Sequence, residues 1–219
     1  ELEKYEKAAL KLDRVKDIPE AKYMLALCYR REGKFKESAK AMETAEKTAL
    51  SQKRDDFLSK DFYLAYASFC DRAGMADRTI EILKSLIVKH PEDPETANFL
   101  GYYLADKKLE LDYAEKLIRI AVDGDSDNPA YLDSLAWVLY RKGDLKGAEK
   151  YIEKSLELQK DSPDGVIADH AGDIFNSLGK KDKAIKYWKF AADTWNADTD
   201  YDAVRKKLKG AESPESSKK

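Results

Sequence analysis

The residues best able to do chemistry in this chain are few and scattered. There are two histidines, His90 and His170, and two cysteines, Cys28 and Cys70. His90 precedes Pro91 and reads as a solvated loop residue. His170 has Asp169 beside it and Asp173 three residues on, close enough to share a helix face. One histidine with a carboxylate falls short of the three or four protein ligands that a metal site needs. Each cysteine sits in an apolar helical run, where a free thiol behaves as a small buried hydrophobe. A disulfide between them is also compatible with the sequence. The glycines stand singly, so there is no phosphate-cradling loop. Runs such as "KKLELD" read as solvated helix faces. No catalytic constellation, metal cluster or cofactor motif emerges, and the expectation is a protein without enzyme activity.

Composition points the same way. Basic and acidic residues number 40 and 42 in 219, a net charge of −2. That balance disfavours a nucleic-acid partner, which calls for a basic excess or stripe. With 6 prolines, 10 glycines and 37% charged residues, the chain reads as helix-rich with mixed-sign surfaces. The longest apolar run, "YMLALCY" from Tyr23 to Tyr29, is far shorter than the roughly 20 residues that span a bilayer. The opening at Glu1, without methionine and within a helical pattern, suggests a piece of a longer protein.

The elements that would position any surface come from a repeat. "LAWVLYRKGDLKGAEKYI", Leu135 to Ile152, places apolar residues at helical spacing on both sides of Gly143. The same arrangement surrounds Gly33, Gly74 and Gly179. Five residues after each glycine stands a small residue (Ser38, Thr79, Ala148, Ala184) and four further on a large apolar one (Met42, Leu83, Ile152, Trp188). The glycines lie 41, 69 and 36 residues apart, and the middle gap implies a fifth unit that lacks the glycine. It is "FLGYYLADKKLELDYAEKLI", with Leu100-Gly101 before its turn and Ala114 and Ile118 after it.

Five such units resemble the tetratricopeptide repeat, a helix–turn–helix of about 34 residues. The leucine–small pair appears as Leu25-Ala26, Leu100-Gly101 and Leu135-Ala136, with Tyr66-Ala67 and Ala171-Gly172 as variants. The residue three later is Tyr29, Cys70, Leu104, Leu139 or Phe175. The family's first tryptophan is missing throughout, its closing proline survives clearly only as Pro91, and the third unit has an extra residue in its turn. The fold implied is all-α, a right-handed superhelical α-solenoid of antiparallel helix pairs. Residues 1–18 read as the second helix of a truncated preceding repeat. The units are then 19–59, 60–93, 94–128, 129–163 and 164–197, followed by a capping helix over 198–211 and a disordered tail over 212–219. The seven extra residues between the first two glycines, around "ALSQKRDDFLSK", are expected to lengthen one helix by about two turns.

The resemblance also implies where a ligand would sit. In that family the first helix of each unit lines a concave groove that holds a peptide. Carried over residue by residue, the groove positions are Tyr23, Leu27, Arg30 and Arg31; Leu64, Ser68, Asp71 and Arg72; Asn98, Tyr102 and Asp106; Asp133, Trp137, Tyr140 and Arg141; and Asp169, Asp173 and Asn176. Trp137, Tyr140 and Tyr102 would form an aromatic patch, and Trp, Tyr and Arg are enriched at binding hot spots. Trp137 fits equally a place in the core between units. The charge runs from basic at Arg30 and Arg31 to acidic at Asp133, Asp169 and Asp173, which would orient a peptide. The paired lysines and asparagines with which some relatives clamp a C-terminal carboxylate are not matched.

These features imply a scaffold for a partner protein or peptide, with no cofactor. The alternatives are a docking region of a larger enzyme, or an RNA-binding helical repeat, which the acidic half disfavours. The last two units look most like the C-terminal repeats of bacterial tetratricopeptide proteins. Many of those are envelope-anchored adaptors, so the resemblance leans to the bacterial periplasm or envelope, with the cytoplasm left open.

Overall fold

The computed structural model describes residues 2–15, 17–160, 164–194 and 201–212. Among these every regular element is an α-helix. The chain divides into two compact units, Glu1–Pro91 and Glu92–Lys219.

The N-terminal unit holds α1 (Leu2–Asp13), α2 (Pro19–Arg31), α3 (Phe35–Ser51), α4 (Lys60–Arg72) and α5 (Ala76–Lys89). Helices α2 and α3 form one hairpin and α4 and α5 another; α1 packs on α2, and α3 packs on α4. The C-terminal unit holds α6 (Pro94–Asp106), α7 (Leu111–Gly124), α8 (Pro129–Lys142), α9 (Leu145–Gln159), α10 (Gly165–Ser177), α11 (Lys181–Asp193) and α12 (Tyr201–Glu212). Its hairpins are α6–α7, α8–α9 and α10–α11, with α8 between α6 and α10, and α12 against α11. Within each unit the arrangement is the stacked helix-pair architecture that the repeat implies.

Local chemistry explains the helix starts. Pro19, Pro94 and Pro129 occupy first-turn positions, where a missing N–H costs nothing. The side chains of Ser59, Asp93, Asn128, Asp144 and Asp164 accept hydrogen bonds from backbone amides of the turns that follow, satisfying donors the helix cannot. At the far end of α8, Gly143 takes φ +88°. Its N–H donates to the Tyr140 carbonyl at 3.0 Å, and that of Asp144 donates to the Leu139 carbonyl at 2.9 Å. Glycine meets no Cβ penalty in this left-handed conformation.

The unit without a glycine solves the turn at a cost. Lys108 takes the left-handed position at φ 56°, and Glu110, the extra residue, is also left-handed at φ 42°. Side chains disfavour that region by about 1–2 kcal/mol.

Each hairpin closes on small residues. Ala26, Ala67, Ala136, Ala148 and Ala184 are fully buried, and Ser38 Oγ donates to the Ala26 carbonyl at 2.8 Å. A Cβ added to Gly101 would stand 2.6 Å from Ile118 Cγ1. Met42, Leu83, Ile118, Ile152 and Trp188 fill the seams, each contributing about 1.5–3 kcal/mol by leaving water.

Helix α3 has 17 residues against 14 in α5 and α7. The seven extra residues therefore only partly extend the helix. The rest form a loop in which Arg54 pairs with Asp56 and Glu20 and Phe57 packs on Phe62 with ring centroids 5.0 Å apart. Both cysteines are free and buried, so the disulfide is not formed. Positions 198–200 and 213–219, part of the expected cap and tail, lie outside the described residues; Glu212 closes α12.

Candidate functional site

The first helices, α2 and α4 in one unit and α6, α8 and α10 in the other, carry the positions assigned to a ligand. In the N-terminal unit Tyr23, Leu27 and Ser68 are half-buried, and Arg30 and Arg31 are exposed. Tyr23 stands edge-on to Phe57 at 6.4 Å, and the Arg30 guanidinium lies 5.2 Å over the Phe69 ring. Arg30 and Arg31 have no carboxylate partner among the described residues. Asp71 and Arg72 are half-buried, and the Arg72 guanidinium lies over Phe35 at 5.3 Å. Leu64 is buried and belongs to the core rather than to an accessible face.

The C-terminal unit corrects the reading of Trp137 and of the acidic end. Trp137 is 6% exposed. Its indole stacks on His170 with centroids 3.9 Å apart and planes at 14°, and on Tyr140 at 5.2 Å. The Arg141 guanidinium lies 5.2 Å over the ring and donates to the Asp106 carbonyl at 2.7 Å. Trp137 is thus a core residue seated between α8 and α10, and only Tyr140 and Tyr102 of the expected aromatic patch reach solvent, both half-buried.

Asp133 is buried at 4% exposure. His170 Nδ1 donates to both of its carboxylate oxygens at 3.0 Å. Burial alone would push the His170 imidazole down, but the Asp133 charge and hydrogen bond outweigh it and hold the pKa above its usual 6.5. Sequence reasoning noticed Asp169 and Asp173 beside His170, yet the partner comes from α8, a register visible only once helices stack.

Asp169 and Asp173 are taken as well. Lys207 of α12 places Nζ 2.7 Å from Asp169 Oδ1 and 2.8 Å from Asp173 Oδ1, and the Trp188 indole N–H donates to Asp173 Oδ1 at 3.0 Å. Burial pushes the Asp169 carboxyl up despite Lys207. Asp106 pairs with Lys107 at 3.0 Å. The inward acids are therefore neutralised within the unit and do not form an open negative field. Asn98 is half-buried with an unpartnered Oδ1, and Asn176 is exposed. No group of three or more metal-ligating side chains occurs among the described residues, and no helix there is long and apolar enough to cross a membrane.

Comparison with known proteins agrees with this architecture. The family model described as "Tetratricopeptide repeat" matches residues 19–50 and 130–162. The TPR repeat-containing protein PA4667 of Pseudomonas aeruginosa is 37% identical over 91 residues, which cover 42% of this chain and 15% of that protein. The chain therefore spans a small part of that relative's length. Among solved structures, TTC0263, a thermophilic TPR protein of Thermus thermophilus, superposes with TM-score 0.67 at 17% identity, covering 88% of this chain and 98% of the other. The Cut9–Hcn1 hetero-tetramer of the APC/C superposes with TM-score 0.70 at 17% identity, covering 96% and 41%.

Proposed function

We propose that this chain, which carries tetratricopeptide repeats at 19–50 and 130–162, is a non-enzymatic scaffold that captures an acidic peptide segment of a partner protein. The segment lies on the first-helix face of the N-terminal unit, along Tyr23, Leu27, Arg30 and Arg31. The observation that carries this reading is the contrast in charge. The inward carboxylates of the C-terminal unit are matched internally, whereas Arg30 and Arg31 reach solvent without carboxylates. An arginine over an aromatic ring, here Arg30 over Phe69, is the composition of a binding hot spot. Planar guanidinium forks also suit bidentate recognition of carboxylates.

The test is affinity selection of a random peptide library on the immobilised chain, repeated with Arg30→Glu/Arg31→Glu. Acidic peptides that bind the parent chain and lose about tenfold or more on the variant support the reading. Failure to enrich any sequence, or enrichment indifferent to the two arginines, contradicts it. Residence at a bacterial envelope is part of the proposal, checked by fractionating cells that express the natural protein.

A further inference from the structure

The acidic end of the C-terminal unit has an occupant built into the chain. Asp169 and Asp173 stand one helical turn apart on α10, and both are half-buried. Trp188 fixes Asp173 from behind through its indole N–H. This is possible because residue 172 is glycine: a Cβ there would collide with the indole. The carboxylate is therefore held in place by the core rather than left to swing in solvent.

Lys207 closes the arrangement, its ammonium bridging the two carboxylates at 2.7–2.9 Å. Beside it a cavity of about 350 Å³ is bordered by Tyr140, Asn176, Trp188, Lys207 and Gly210. The helix that supplies the lysine is held lightly. Val204 is its one wholly buried side chain among the described residues. Arg205, Lys206 and Lys209 are exposed, and the Tyr201 hydroxyl donates to the Thr194 carbonyl at 2.8 Å. A polar helix that buries so little apolar surface is easier to release than a hairpin of the core. Were it to leave, two fixed carboxylates close together would lose their cation, an arrangement that demands another.

From this we propose that α12 is a displaceable internal ligand, and that the α10–α11 face takes a cationic amphipathic helix from a partner protein. The partner's lysine replaces Lys207 between Asp169 and Asp173, and an aliphatic residue three positions earlier replaces Val204. The spacing is read from α12 itself, where Val204 and Lys207 lie on one face. The inference rests on the reading of the first-helix face as a binding surface. It concerns the other unit and the opposite ligand charge, so it can fail while the Arg30/Arg31 selection succeeds, or the reverse.

The test uses the full chain and a labelled peptide of sequence YDAVRKKLKGAE, the residues of α12. Its binding is followed by fluorescence anisotropy to the parent chain, to Lys207→Gln, and to Lys207→Gln combined with Asp169→Asn and Asp173→Asn. Losing the internal lysine should strengthen peptide binding by about ten- to hundredfold, the range that a charged hydrogen bond carries. The triple variant should lose that gain. Hydrogen exchange over Tyr201–Glu212 should accelerate by a similar factor in Lys207→Gln, with α6–α9 unchanged. Equal peptide affinity for the parent and Lys207→Gln chains, binding that survives the triple substitution, or unaltered exchange in α12 overturns the proposal. A parent chain found as a dimer by light scattering, with α12 exchanged between copies, also overturns it, because the occupant would then be a second copy.

Discussion

Replacing Asp133 by asparagine tests the buried pair at the centre of the C-terminal unit, because the substitution keeps the shape and removes the charge. In the parent chain both side chains are nearly inaccessible, 7% exposed for His170 and 6% for Asp133. The two contacts at 3.0 Å are of the charge-assisted kind, worth about 1.5–3 kcal/mol. The pH dependence is more diagnostic than the size. The folded pKa of His170 is raised above 6.5, so the folded state binds a proton more tightly than the unfolded chain. Its stabilisation is fully present below 6.5 and is lost as pH rises through the folded value, at up to about 1.4 kcal/mol per pH unit. In Asp133→Asn only burial and weaker neighbours act on the imidazole, namely Asp169 and Asp173 on α10 with Lys207 facing them. The folded pKa then drops and the trend flattens or reverses. Trp137, Trp188 and Trp195 all follow Glu92, so urea unfolding read by tryptophan fluorescence reports this unit alone. The stability gap between parent and variant should be about 2–3 kcal/mol near pH 5.5 and shrink by pH 9. A gap that does not change over that range refutes the charged pair.

Four further outcomes follow from local geometry. Lys108→Gly removes a left-handed lysine and should raise stability by up to about 1 kcal/mol in chemical denaturation, whereas Gly143→Ala, with no atom near the added Cβ, should lower it by about 1–2 kcal/mol through backbone strain alone. Gly172→Ala drives a methyl into the Trp188 indole and should cost about 1–3 kcal/mol, with a shift in tryptophan emission as the bond to Asp173 is lost. Cys28 and Cys70 are buried, and burial pushes the Cys70 thiol up to about 12; neither should react with dithionitrobenzoate at neutral pH until the chain unfolds, when both should.

Much of the architecture was legible because it is written in short-range chemistry. Gly33, Gly74, Gly143 and Gly179 mark four turns directly, and the fifth was found from spacing although Lys108 hides it. The alanines of the hairpin seams were equally visible. What escaped was what depends on the stacking of one hairpin against the next. Asp133 and His170 are 37 residues apart, as are the partners Tyr140 and Ser177, and no helix period connects them. Nothing local in the sequence distinguishes Lys207 from Lys206. Trp137 could be assigned to core or surface equally from its spacing, and only the position of His170 against its face decides.

In the proposed function the first helices, not the second, offer the surface that partners touch. Titrating the isotopically labelled chain with an acidic peptide from the library selection, and following backbone amide shifts by NMR, measures this most directly. The shifts should gather at Tyr23, Leu27, Arg30 and Arg31 of α2 and leave Lys36, Lys40 and Lys47 of α3 unmoved. Shifts concentrated on α3 and α5, or spread without preference over both helices of each hairpin, would contradict it.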